Sequence, residues 1–189
     1  MTKRQLIQLV LRAAEISGRT EFVVIGSQAI HGTVADPNIE IVALSNDVDL
    51  YPVDGYDERN LVYQGLMEGL GQDSDFDEHT GTYLEAVPVN LAKFPDGWQQ
   101  RSFQEVVGNV TIGNAPRAVR ITFPDIYDLT VSKLAIRRDK DLEFLRGVIE
   151  LGLVARDVLI ERFEMLSRNN DAFNAAGKSD IERAFSTTR

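Results

Sequence analysis

EFVVIGSQAIHG at residues 21–32 and ALSNDVDLYP at residues 43–52 decide how this chain folds. Phe22, Val23, Val24 and Ile25 form a short apolar run, the pattern of a buried strand, and it runs straight into Gly26-Ser27. A small-residue helix start follows. In the second stretch Asp47 and Asp49 alternate with Val48 and Leu50. Residues two apart on a strand point to the same face, so the two carboxylates sit side by side while Val48 and Leu50 face a core. A Gly-Ser turn at a helix N-terminus offers backbone N–H groups and a hydroxyl to phosphate. Two clustered carboxylates offer hard oxygen ligands to Mg²⁺. Each half is common alone: Ser27 could simply cap the helix after it, and Asp-x-Asp could be a solvated strand edge. Together they describe a place to hold a metal-bound nucleoside triphosphate (NTP), with Gly26 and Ser27 at the phosphates and Asp47 and Asp49 on the metal.

The rest of the composition narrows the function classes. At 189 residues, 43% apolar and 26% charged, the chain has the make-up of a globular protein with a proper core. No run of about 18 apolar residues spans a membrane. The N-terminal MTKRQLIQLVLRAAEI reads as an amphipathic helix rather than a leader peptide. With no cysteine there is no disulfide framework and no thiolate chemistry, and a cytoplasmic location is the expectation. A net charge of −9 argues against a broad basic surface for duplex DNA. The charge is uneven, however. Acids gather at residues 47–58 and 73–78, whereas Arg137, Arg138, Lys140 and Arg146 form a basic group. A metal would be drawn to the first region and a phosphate chain to the second, where Arg138 and Lys140 are the candidate contacts.

Periodicity predicts a helix over 3–17 stopped by Gly18, strands at 21–25, 39–44 and 47–51, and a helix over 56–70. A loop is expected at 73–78. Residues 81–92 read as a strand broken or pushed to an edge by Pro88, and strands follow near 106–112 and 118–123. From Pro124 the pattern turns helical, over 125–137, 139–151 and 155–168, with a last short helix near 179–185. The expected division is a core at 1–124 and a helical region at 125–189 packed on it. Lys133 sits among apolar flanks, Val131, Leu134 and Ala135. The bland reading of residues 137–141 is a charged helix with pairs such as Arg137–Asp141. His31 and His79 are too few and too far apart for a zinc site, and Trp98 reads as a packing anchor.

The segments FVVIGSQAIHG, LSNDVDLYP, DFDEHTGTYLEAV, FPDGWQQR and DLTVSKLAIRRDKDLEFLRGVI, over roughly residues 20–155, resemble in order a bacterial family with the nucleotidyltransferase fold of the DNA polymerase β superfamily. That family is related to the AbiEii toxins of type IV toxin–antitoxin systems. The resemblance implies an α/β (α+β) fold, a mixed sheet with flanking helices and a helical C-terminal part. It implies Mg²⁺-dependent transfer of NMP from an NTP to an RNA or protein acceptor, and a cognate antitoxin-like partner. It further implies a third acid on a neighbouring strand. Here that strand carries Glu85 and Asn90 and no Asp; Glu85 can serve as ligand or base, whereas Asn90 cannot be a base. The segment Asp128-x₄-Lys133 and, loosely, Arg138-Asp139-Lys140-Asp141 are similar to later motifs of the toxins, which implies a Lys at phosphate and a supporting acid. Two rivals stay open: a degenerate fold that binds nucleotide or protein without chemistry, and a metal-dependent nuclease.

Overall fold

Strand β1 (Glu21–Val24) is apolar in succession because it lies at the centre of a sheet, covered on both faces. The computed structural model of the chain describes residues 1–37, 39–40, 42, 45–55, 61–166 and 171–187. Its sheet has five strands in the order β3-β2-β1-β5-β4, with β2 at Asp47–Pro52, β3 at Tyr83–Ala86, β4 at Phe103–Ile112 and β5 at Ala115–Phe123. β1 runs antiparallel to β2 and parallel to β5, β2 runs parallel to β3, and β4 and β5 form an antiparallel hairpin. The sheet is therefore mixed, with helices around it and a helical C-terminal part, an α+β arrangement.

Alternation along the strands sorts their side chains. Phe22 and Val24 on β1, with Val48 and Leu50 on β2, enter the main core, where all four are 0% exposed. Full burial of each such side chain contributes roughly 1.5–3 kcal/mol. Val23, Ile25 and Tyr51 face the other way, into a small cluster closed by Val87, Phe94 and Trp98. Trp98 stacks on Phe94 at 4.5 Å between ring centres, the anchor role its sequence setting predicts. Asp47 and Asp49 share this second, thinly covered face with Tyr51, so the strand carries its acids where there is room for a cleft.

Helix α1 (Lys3–Ser17) packs on β4 and on α2 (Leu61–Leu70). It begins with a Thr2–Gln5 capping box and buries Leu6, Leu9, Val10, Ala13 and Ala14 along one face. Short helices α3 (Asp75–Thr80) and α4 (Trp98–Arg101) flank β3 and precede β4. The C-terminal part comprises α5 (Ile126–Leu134), α6 (Asp139–Glu150), α7 (Arg156–Glu164) and α8 (Asp171–Thr187). One continuous apolar cluster runs from Leu6 through the sheet to Ile181 and Ala184 of α8. Among the described residues, no helix is long and apolar enough to cross a membrane.

The elements depart from the sequence expectation in a few places. Residues 75–80 are helical rather than a loop, because Ser74 accepts a hydrogen bond from the Asp77 amide and acids fill the first turn. Of the strand expected at 39–44, Glu40 and Val42 are instead helical, and residues 41, 43 and 44 lie outside the described residues. Ile39 and Val42 are both buried, three apart, which is the helical spacing. Residues 56–60 of the helix expected at 56–70 also lie outside the described residues. The last helix is far longer than the expected one at 179–185, since it packs along α6 and α7.

Candidate functional site

Strand register assembles the acids. β2 and β3 pair in parallel with Asp49 opposite Glu85, so Glu85 stands beside the Asp47–Asp49 pair on the same face. One carboxylate oxygen from each of Asp47, Asp49 and Glu85 lies within 4.8 Å of the other two. Glu85 is exposed while its neighbours Leu84 and Ala86 are buried, the alternation the sequence shows. Asn90 lies in an exposed turn beyond the end of β3 and does not join the group. Among the described residues no other trio of His, Cys, Asp or Glu converges in this way. An all-carboxylate donor set fits a hard cation such as Mg²⁺ and not the nitrogen and sulfur preference of Zn²⁺.

The Gly-Ser turn closes one side. Gly26 has φ of 68°, in the left-handed region, and a Cβ built on it would fall 2.1 Å from Asp49 Oδ2. The missing side chain lets the Asp49 carboxylate lie against the main chain. Gly26→Ala should therefore push that carboxylate out of the trio and lower divalent-cation affinity about tenfold or more, read by titration calorimetry, with a fold cost of about 1–2 kcal/mol. Ser27 opens a 3-10 helix (Ser27–Gly32) without capping it; its hydroxyl instead donates to Ser45 Oγ at 3.3 Å. Ser45 Oγ in turn donates to Asp47 Oδ1. The backbone behind is fixed by Gln28, whose side-chain nitrogen donates to Val42 O and Ser45 O at 3.1 and 3.0 Å. Buried His31 contacts Gln28 Oε1 and the carbonyls of Met1 and Ala35, a structural set of bonds, while His79 is exposed on α3.

The opposite wall comes from α5, the turn after it and the start of α6: Leu129, Ser132, Lys133, Ile136, Arg138 and Lys140. With the acids, Gly26 and Ser27 they enclose about 470 Å³. The Lys133 side chain is only 11% exposed. Its Nζ lies 4.7 Å from the Phe144 ring centre and 3.9 Å from Asp141 Oδ1. Burial lowers the Lys133 ammonium to about 8, and Asp141 works against that shift. Asp141 is itself held by Arg138, whose backbone N–H and Nε donate to Oδ2 at 3.0 and 2.9 Å. Burial pushes Asp141 up, but these bonds and Lys133 bring it below the ordinary carboxylate value.

Burial, and then the charges of Asp47 and Glu85, push the Asp49 carboxyl from 3.8 to about 6; Lys133 pulls it back. The folded value lies above the unfolded one. The folded state therefore loses stability as pH rises from about 4 to about 6, and carries the whole cost above that. Asp49→Asn should raise stability by about 1–3 kcal/mol at pH 8 in chelator and by less at pH 4, measured by denaturant unfolding.

All eight sequence candidates, Gly26, Ser27, Asp47, Asp49, Glu85, Lys133, Arg138 and Lys140, line this one cleft. Asp128 does not. Five positions along a helix is about 140° around its axis, so Asp128 and Lys133 leave α5 on different faces. Asp128 is fully buried against Arg101, with Nε–Oδ2 at 2.8 Å, and Arg162, at 3.5 Å. Asp139 is exposed, and Arg137 pairs with Asp180 rather than Asp141. The sequence reading missed Ser45, Tyr83, Ser132 and Ile136. Ser45 could have been found, since it extends the two-residue spacing of Asp47 and Asp49 by one step.

A family model described as "Nucleotidyltransferase of unknown function (DUF6036)" matches residues 4–185. No curated protein and no solved structure matches the chain.

Proposed function

Because the chain belongs to this nucleotidyltransferase family, we propose that it transfers a nucleotidyl group from an NTP to an RNA or protein acceptor, with Mg²⁺ held by Asp47, Asp49 and Glu85. The observation that carries the reading is the convergence of three carboxylates on one wall of a cleft whose other wall holds Lys133, Arg138 and Lys140. A bound divalent ion supplies charge neutralisation and polarises the phosphoryl centre. The protein's own part is to hold and orient. Arg138 and Lys140 offer guanidinium and ammonium groups to the triphosphate oxygens, and Lys133 adds a desolvated charge from below. Ser27 and the open backbone at Gly26 let phosphate oxygens approach the main chain. Glu85 sits at the exposed side of the trio, where an incoming acceptor hydroxyl can give up its proton to a carboxylate.

The toxin–antitoxin setting, an antitoxin-like partner and a cytoplasmic location are supported by the sequence resemblance and composition alone. Incubation with each α-labelled NTP, Mg²⁺ and either total RNA or total protein tests the activity. Label should pass to one acceptor class with the wild type and to neither with Asp49→Asn. Nucleotide binding without transfer would leave a binding module, and no binding of any NTP would remove the reading. Lys133→Ala should weaken NTP binding by about 1–3 kcal/mol in calorimetry, the loss of a charge-assisted contact. Unchanged affinity would take Lys133 out of the site.

A further inference from the structure

The turn between α5 and α6 carries two of the residues on the basic wall of the cleft, and the residue between them is in a conformation that needs support. Arg137 has φ of 62°, the left-handed region, which side chains with a Cβ rarely adopt. Its neighbours Ile136 and Arg138 both line the cleft. The amides of Ile136 and Arg137 both donate to Lys133 O, at 2.9 and 3.1 Å. The turn thus sits directly on the lysine. The Arg137 guanidinium points away from the cleft and is held by a residue distant in sequence: Nε and Nη2 both donate to Asp180 Oδ2, at 2.8 and 2.6 Å. Asp180 lies on α8 and is 8% exposed. Helix α8 is seated independently of this pair. Ile181 is fully buried, and a Cβ at Gly177 would fall 2.1 Å from Phe163 Cζ, so the helix lies tight against α7.

We propose that the Arg137–Asp180 ion pair is a latch through which α8 holds the α5–α6 turn, and with it Arg138 and Lys133, in the position that receives the NTP phosphates. Arg137 and Asp180 are positioning residues, since neither faces the cleft. The consequence for substrate rests on the nucleotide reading above; the latch itself does not. The pair is anchored on an already docked helix, and its charge-assisted bonds offset the cost of the left-handed backbone at Arg137. Without the latch the turn is free to relax toward an ordinary backbone conformation, which moves Arg138 while the carboxylates on β2 and β3 stay where the sheet puts them.

The test compares Asp180→Ala, Arg137→Gly, the double variant, Asp180→Glu and Ile181→Val. The last loosens the seat of α8 without touching the pair. Hydrogen exchange in the absence of nucleotide reads the turn. The amides of residues 136–138 should exchange about tenfold faster in Asp180→Ala and no more than about twofold faster in Ile181→Val. Titration calorimetry with ATP and Mg²⁺ reads the consequence. Asp180→Ala should weaken binding about 5- to 20-fold, the double variant no further, and Asp180→Glu should recover to within about threefold of wild type. Unchanged exchange at 136–138 in Asp180→Ala overturns the latch whatever the nucleotide result. Equal effects from Ile181→Val overturn it as well, because they would make general docking of α8 the cause. Failure of the wild type to bind ATP, with the exchange difference intact, overturns the nucleotide reading and leaves the latch standing without a substrate role.

Discussion

Glu85→Gln is expected to abolish nucleotidyl transfer while the protein remains folded. The substitution keeps the size and one carbonyl oxygen of the side chain. It removes a negative charge from a trio in which one oxygen of each carboxylate lies within 4.8 Å of the others, and, on the proposed function, it removes the group that would take the acceptor's proton. Losing a metal ligand and a base together should lower the rate by about 10²–10⁴-fold or more. The fold has little stake in this residue: Glu85 is exposed, and β3 is held by Leu84 and Ala86 on its buried face. The unfolding midpoint should therefore stay close to that of the wild type. Transfer assays with labelled NTP, run beside thermal unfolding, check both halves. Robust transfer by Glu85→Gln would show that the third acid is misassigned and that Asp47 and Asp49 suffice.

Asp128→Ala is expected to do the reverse, damaging the fold rather than the chemistry. Its carboxylate is fully buried and receives Arg101 through two hydrogen bonds, at 2.8 and 2.9 Å, with Arg162 at 3.5 Å. One side chain thus ties α5 to α4 and α7. Removing it takes from Arg101 and Arg162 the buried carboxylate they share. Deleting one partner of a buried pair costs roughly 3–5 kcal/mol, and since the arginine side chains are 24% and 18% exposed, about 2–4 kcal/mol is expected here. In a chain of this size that lowers the thermal midpoint by roughly 5–15 °C. Nucleotide affinity, measured below the transition, should stay within a few-fold of wild type. A large loss of affinity with an unchanged midpoint would place Asp128 in the site instead.

These two residues show how far the sequence could be read. Glu85 was legible as a candidate because strand alternation separates it from Leu84 and Ala86. That it meets Asp49 follows from a parallel pairing across more than thirty residues of chain, and Asn90 was an open alternative until β3 ended at Ala86. Asp128 and Lys133 looked like one motif in the sequence. The helix sends them to different faces, one to a buried ion pair and the other to the cleft. Likewise Arg137 and Asp141 have the spacing of a helical pair, but α6 starts only at Asp139, so Arg137 lies outside the helix and reaches Asp180 instead.

By itself the sequence determined the β1 strand, the Gly26-Ser27 turn, the shared face of Asp47 and Asp49, the run of C-terminal helices and the burial around Lys133. Each follows from a period of two or of 3.6 residues and from local turn chemistry, which neighbouring residues alone can satisfy. Tertiary structure alone decided that Glu85 completes the trio, that the α5–α6 wall faces it, and that α8 grips the turn between them. Those arrangements depend on strand register and on helices packed across the core. Their cause is complementarity between surfaces distant in the chain, which no local pattern records.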